Sequence, residues 1–210
     1  MKIGLVLPAL PAYSETFFRN KILGLQKHGH KVVLFVNNSE DVPSYLDCKV
    51  VKAPKLSGNK VKVIAITLKQ IIFSVLNFKK NWKLFQLNQQ DKIPLIQNIK
   101  QIISNQFLIK ENLDWLHFGF GTMAVGKENI AEVIGAKMAV SFRGFDYYVY
   151  PLKNKDCYKK LFEKEVKYHV LSESMKKGLI EQSISENKIV KIICTSEDFM
   201  RYLLIIIRKF

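Results

Sequence analysis

The chain has 210 residues, 48% hydrophobic and 11% aromatic, with a formal net charge of +15. That is enough apolar material for one large core or two small ones, and it excludes a disordered chain. The charge points to an anionic partner, but the excess is scattered lysine, 29 Lys against four Arg, so nucleic acid is not the expected one.

Lys2 to Pro8 reads as a buried strand, apolar and rich in β-formers. The apolar N-terminus is short and broken by Pro8 and Pro11, which is a poor signal peptide. Ser14 caps a helix with Glu15 in its first turn, where the helix dipole favours an acid. Phe18, Ile22 and Leu25 recur on one helix face, and Lys27-His28-Gly29 ends the helix. Lys31 to Val36 is a second strand, so the first 36 residues follow β-α-β order.

The middle is helical. Ile64, Leu68, Ile71 and Val75 keep helical spacing. Leu95, Ile99 and Ile102 do the same beyond a break at Pro94. The Val61–Phe78 segment is apolar but holds Lys62 and Lys69, so it is a poor membrane span. Two readings stay open for it. It is a core helix with solvated lysine edges, or it rests on an anionic membrane with its lysines at the headgroups.

Alternation then resumes. Asp114–Phe118 is a strand, Thr122–Ile134 a helix and Lys137–Phe142 a strand. Lys153–Lys167 follows as a helix and Tyr168–Leu171 as a strand. Ser174–Gln182 is the last helix, capped by Ser172 or Ser174, and Lys188–Ile193 the last strand. The fold class is α/β: a Rossmann-like, doubly wound, mostly parallel sheet. Ligands in such folds bind beyond the carboxyl ends of the strands. The loops to watch are therefore Ala9–Glu15, Gly119–Thr122, Arg143–Asp146 and Ser172–Ser174.

Cys48, Cys157 and Cys194 are widely spaced, odd in number and without a C-x-x-C, so no disulfide framework or zinc knuckle is expected and a reducing cytoplasm fits. The four histidines form no metal-ligand pattern, and no metal is expected. "HFGFGTMA" holds Gly119, Gly121 and Ala124 as G-x-G-x-x-A, the dinucleotide fingerprint. The fingerprint belongs in a first βαβ unit with an acid ending the next strand, and here that strand ends Ser141-Phe142-Arg143. A tight turn explains the glycines, and an NAD-dependent oxidoreductase is the third-ranked function.

Arg143-Gly144-Phe145-Asp146 ends a strand with one of the few arginines. In one reading Gly144 takes a positive-φ turn and Arg143 pairs locally with Asp146. In the other, Arg143 grips a phosphate or carboxylate in the cleft, and Asp146 orients it or binds a sugar hydroxyl. Ser14 and the first helix's N-terminus form a second anion-friendly spot.

The stretches "MKIGLVLPALPAYSETFFRNKILGLQKHGHKVVLF", "LDWLHFGFG", "AVSFRGFDYYVYP" and "YHVLSESMKKGLIEQSISENKIVKI", in this order, resemble the N-terminal half of a family-four glycosyltransferase of the GT-B fold. The likeness is to bacterial enzymes that build surface polysaccharide, of the colanic-acid type, and runs from Met1 to about Ile193. It implies an acceptor-binding domain over residues 1–193, facing a donor-binding domain that takes the nucleotide sugar. The parent activity would be hexosyl transfer to a saccharide or lipid-linked acceptor, without metal or other cofactor. In many relatives the strand before G-x-D ends in His. Arg143 stands there here, which retains a hydrogen-bond donor but removes a titratable imidazole. Arg143 and Asp146 become the electrostatic and orienting candidates. The substrate-binding candidates are Ser14, Glu15, His117, Gly119, Gly121, Gly144, Ser172 and Glu173.

Residues 194–210 depart from the family, which would continue into the donor domain. The expectation is a truncated or frame-shifted product, inactive alone, or else half of a split enzyme whose donor domain is another chain. A non-catalytic module binding acceptor or membrane is the alternative. Location is expected in the cytoplasm, peripheral to the inner face of the membrane.

Overall fold

The computed structural model describes residues 1–11, 16–38 and 47–191. The expectations for Ser14, Glu15 and the 194–210 tail lie outside them. Seven strands, β1 (Lys2–Ala9), β2 (Lys31–Asn38), β3 (Lys49–Lys52), β4 (Trp115–Phe118), β5 (Lys137–Ser141), β6 (Val166–Val170) and β7 (Ile189–Lys191), form one sheet. Every pairing is parallel, in the order β3-β2-β1-β4-β5-β6-β7. This is the doubly wound, Rossmann-like arrangement. β3 is the strand that sequence reading missed: four residues, with only Val51 fully buried, leave too little pattern to see.

Both sheet faces are covered. On one, α1 (Thr16–Lys27) lays Phe18, Ile22 and Leu25 on Leu5, Leu7 and Leu34. The spacing that predicted this helix is the spacing that buries it. It ends at Gly29, whose φ of 77° turns the chain so that the His30 N–H reaches the Leu25 carbonyl at 3.1 Å. On the other face lie α3 (Phe78–Gln90), α5 (Gln106–Ile109), α6 (Gly121–Ala124), α7 (Ile130–Ile134) and α10 (Glu173–Glu181). Their Leu84, Leu108, Ala124, Ile130 and Leu179 pack with Val6, Phe35, Phe118 and Val140 of the strands. Between β5 and β6 run the π-helical segment Phe145–Val149 and two single turns, α8 (Tyr150–Lys153) and α9 (Lys159–Phe162).

Four expectations are corrected. The Thr122–Ile134 helix is two helices, α6 and α7, because Gly126 turns the chain at a φ of 74°. The Lys153–Lys167 helix is only the single turn α9, followed by the start of β6; Asp156, at a φ of 58°, breaks the helix before it. Gly144 sits at φ −54° and ψ −49°, an ordinary helical conformation rather than a positive-φ turn.

The fourth concerns α2 (Lys60–Leu76), read as a core helix or a membrane-facing one. It is not a core helix: its buried residue is Gln70, while Val61, Ile72, Val75 and Leu76 are each more than 60% exposed. It meets α3 at 97° and packs on α4 (Leu95–Ser104) and α5. No single helix among the described residues is long and apolar enough to cross a membrane.

Polar side chains fill the inward side of these helices. Asn88 donates to Asn98 Oδ1 at 2.9 Å and to Gln101 Oε1 at 3.0 Å, and accepts from Asn129 at 3.0 Å. Asn129 also donates to Asp91 at 2.7 Å, and Asp91 is paired with Lys164. Asn81 and Gln106 join a second pair of buried amides at 2.8 Å. These hydrogen bonds offset the cost of burying the amides, with Asn129 Oδ1 left, among the described residues, as the one acceptor of this cluster without a partner.

Candidate functional site at the strand ends

Chain order reverses between β1 and β4, and ligands of doubly wound sheets sit outside the carboxyl edge at such a point. Three chain segments converge there: the start of α1, the Gly119–Gly121 turn after β4, and Arg143 after β5. The Arg143 guanidinium carbon lies 4.5, 4.7 and 5.1 Å from the ring centres of Phe17, Phe18 and Phe120. Two rings come from α1 and one from the β4 turn. Cation–π attraction holds the guanidinium without cancelling its charge.

Behind Arg143 runs a line of buried polar groups on the α1 face. Register puts His117, Ser141 and His169 near the carboxyl ends of three adjacent strands. His117 Nε2 is 2.9 Å from Ser141 Oγ, which is 3.0 Å from His169 Nδ1. A hydroxyl has one proton, so Ser141 donates to at most one imidazole, and the two ring tautomers are coupled. Lys21 of α1 closes the line, its Nζ 3.1 Å from His117 Nδ1. Lys21 is 1% exposed, His117 4% and His169 2%.

Burial, then the Arg143 charge, holds the Lys21 ammonium well below its ordinary value. Burial, then the charges of Lys21, His169 and Arg143, depresses His117 likewise. Below the ordinary imidazole value of about 6.5 an unfolded chain takes up a proton that folded His117 refuses. Stability is therefore complete above that value and is lost as pH falls below it, at up to about 1.4 kcal/mol per pH unit. We expect urea midpoints measured from pH 7.5 to 5 to show this acid slope. His117→Gln should flatten it, and an unchanged slope would mean that His117 titrates normally.

Asp146 is 2% exposed and works through the main chain. Its Oδ2 accepts the N–H of Gly121 at 3.3 Å and of Arg143 at 3.2 Å. It thus ties the two turns together. Burial raises its carboxyl above the ordinary value, and the two N–H groups and the Arg143 charge pull it back. Tyr158 donates its hydroxyl to the Asp146 carbonyl at 2.8 Å.

The glycines of the β4 turn are packing residues. A Cβ on Gly119 would lie 2.3 Å from Leu7 Cδ2, and one on Gly121 2.4 Å from Phe142 Cε1. α6, which follows, is one turn long, so the G-x-G-x-x-A spacing leads into no long helix. Tight packing accounts for these glycines.

Sequence reasoning picked out Arg143, Asp146, His117, Gly119 and Gly121, and the structure brings all five together. Ser172 sits after β6 as the cap of α10, accepting the Met175 N–H at 3.2 Å. Glu173 pairs with Lys191 at 2.7 Å on the surface. Gly144 is exposed, with open space around it. Lys21, Ser141 and His169 were missed as a group. One signal was present: Lys21 falls between Phe18 and Leu25 on the apolar face of α1, where a charge is out of place.

No family model and no curated protein matches the chain. Among solved structures, the apo form of a lipopolysaccharide outer core galactosyltransferase, WaaB, is similar with a TM-score of 0.46 at 12% identity, over 90% of this chain and 44% of that one. A glycosyltransferase from Rickettsia africae ESF-5 gives 0.46 at 17% identity, over 91% and 42%. A UDP-GlcNAc 2-epimerase from Methanocaldococcus jannaschii gives 0.44 at 15% identity, over 91% and 45%. The chain spans less than half the length of each. The Rossmann-like assignment rests on the strand order and parallel register given above.

Proposed function

We propose that this chain is the acceptor-side domain of a two-domain GT-B glycosyltransferase acting in surface-polysaccharide synthesis. The observation that carries the reading is the Arg143 guanidinium, seated among three aromatic rings at the carboxyl edge beside the switch point. The order of sequence motifs supports it from a separate direction.

In the proposed reaction a hexose moves from a nucleotide sugar to a hydroxyl of a saccharide or lipid-linked acceptor. The bond from the anomeric carbon to the diphosphate oxygen breaks, and one to the acceptor oxygen forms. The electron pair of the broken bond goes to the diphosphate oxygen, where negative charge grows, and the acceptor proton passes to that departing oxygen. Arg143 stabilises that charge in a partly dry site, where a fixed cation is worth more than in water. Its five N–H donors in a fixed fork allow an anion to share it with protein neighbours. Lys21, His117, Ser141 and His169 lie behind it as positioning residues. Asp146 sets the main chain of the Arg143 turn. The donor is brought by a second Rossmann-like unit.

The test is transfer from UDP- and GDP-hexoses to lipid-linked saccharides, by these 210 residues alone and together with a nucleotide-sugar-binding second unit. Transfer is expected only with the second unit, and Arg143→Ala should lower kcat by about a hundredfold, with Arg143→Lys recovering part. Transfer by the chain alone at about 1 s⁻¹ or faster, within the ordinary enzyme range, would overturn the half-site reading. An unaffected Arg143→Ala enzyme would overturn the role of the arginine.

A further inference from the structure

Apart from Leu84, Leu87 and Ile102, which join the core, the α2–α4 unit turns polar groups inward and apolar ones outward. The amides of Asn81, Asn88 and Asn98, and of Gln106 in the adjoining α5, face inward and are buried. Twelve of the twenty large hydrophobic residues exposed among the described residues belong to residues 61–99. Seven of the twelve lie on α2 alone, and so many exposed apolar side chains on one helix mark an interaction surface, because soluble monomers seldom leave large apolar patches in water.

Charge decides the occupant. Residues 60–104 contain eight lysines and one acid, Asp91. Asp91 is already bonded to Lys164 and Asn129. Lys60, Lys62, Lys69, Lys79 and Lys100 are exposed on the unit that carries the apolar face. A second copy placed symmetrically on this face would set lysine against lysine. A bilayer with anionic headgroups accepts both parts, taking apolar side chains below the headgroups and lysines among them. Phe78, Trp82 and Phe85 stack in sequence along α3, with ring centres 6.2 and 5.6 Å apart, and tryptophan favours that boundary. α2, at 17 residues and bent by 97° from α3, suits lying in the surface better than crossing it.

We propose that the α2–α4 face docks on an anionic membrane surface, with α2 in the plane of the interface. The face lies on the sheet side opposite α1, so docking leaves the Lys21–His169 side uncovered. The proposal does not depend on the transfer reaction.

The full chain is mixed with vesicles of phosphatidylcholine alone, or with phosphatidylglycerol added, and sedimented at low and high salt. Binding is expected to the anionic vesicles at low salt, falling at least tenfold in neutral vesicles or at high salt. Trp115 is buried at 5%, so the blue shift and loss of quenching on binding should come from Trp82. Ile72→Ser with Val75→Ser should lower partitioning by more than tenfold. Lys62→Gln, Lys69→Gln, Lys79→Gln and Lys100→Gln should each lower it about fivefold. All six residues are exposed, so thermal melts should match the parent, and a melt that falls marks a variant to be replaced by Ile64→Ser. No binding at low salt, or equal binding by the apolar-face variant, overturns the proposal. So does a lipid-free dimer that the same substitutions dissolve.

Discussion

Gly121→Ala is expected to lower the unfolding free energy by about 2–4 kcal/mol. Its new Cβ would lie 2.4 and 2.7 Å from two atoms of the Phe142 ring. That ring cannot step aside. Phe142 is 0% exposed and meets the rings of Tyr147, Tyr158, Phe162 and Tyr168 at 5.0–6.2 Å. Relief must come from the backbone, which would also stretch the Gly121 N–H bond to Asp146 and shift the Arg143 turn. Gly144→Ala is the matched control. Gly144 has a helical backbone and nothing within 4 Å of a Cβ, so alanine should be neutral or stabilising by up to about 1 kcal/mol. Urea denaturation of both variants decides it. Parent-like stability in Gly121→Ala would show that the turn is loose.

A larger contrast is expected between the two sides of the helical unit. Asn88→Leu should cost about 2–5 kcal/mol, because it leaves the acceptors of Asn98 and Gln101 buried without their donor. Ile72→Ser, on the outside of α2, should cost less than about 0.5 kcal/mol, as a surface change does. Ordinary helices show the reverse ranking. Denaturant midpoints of the two variants at matched slope give the answer. A loss above about 1 kcal/mol for Ile72→Ser would mean that this face is covered in solution.

Much of the fold was legible because its signals are local. β1, α1 and β2 were read nearly to their ends, since a buried parallel strand is a short apolar run and α1 carries a clean 3.6-residue stripe. The misread helices fail at single residues. Gly126 and Asp156 reverse φ, and neither glycine nor aspartate announces that in an isolated string. Arg143 was legible as a site residue because a scarce guanidinium ended a strand. Lys21 was not, because its neighbours His117 and Arg143 are 96 and 122 positions away along the chain.

The sequence by itself determined the alternation of strands and helices, and hence a parallel sheet with its ligand edge at the strand ends. It also determined that α2 is apolar on most of its circumference. Only tertiary structure decided which side of α2 turns inward. Hydrophobic periodicity cannot choose between two apolar sides. The inward side was chosen by Gln70, Ser74 and Asn77, backed by amides from α3, α4, α5 and Asn129. Ser74 and Asn77 bond carbonyls of their own helix, Asn81 of α3 donates to the Ser74 carbonyl at 2.8 Å, and the amides behind them bond partners up to 41 residues apart, which no local pattern reports.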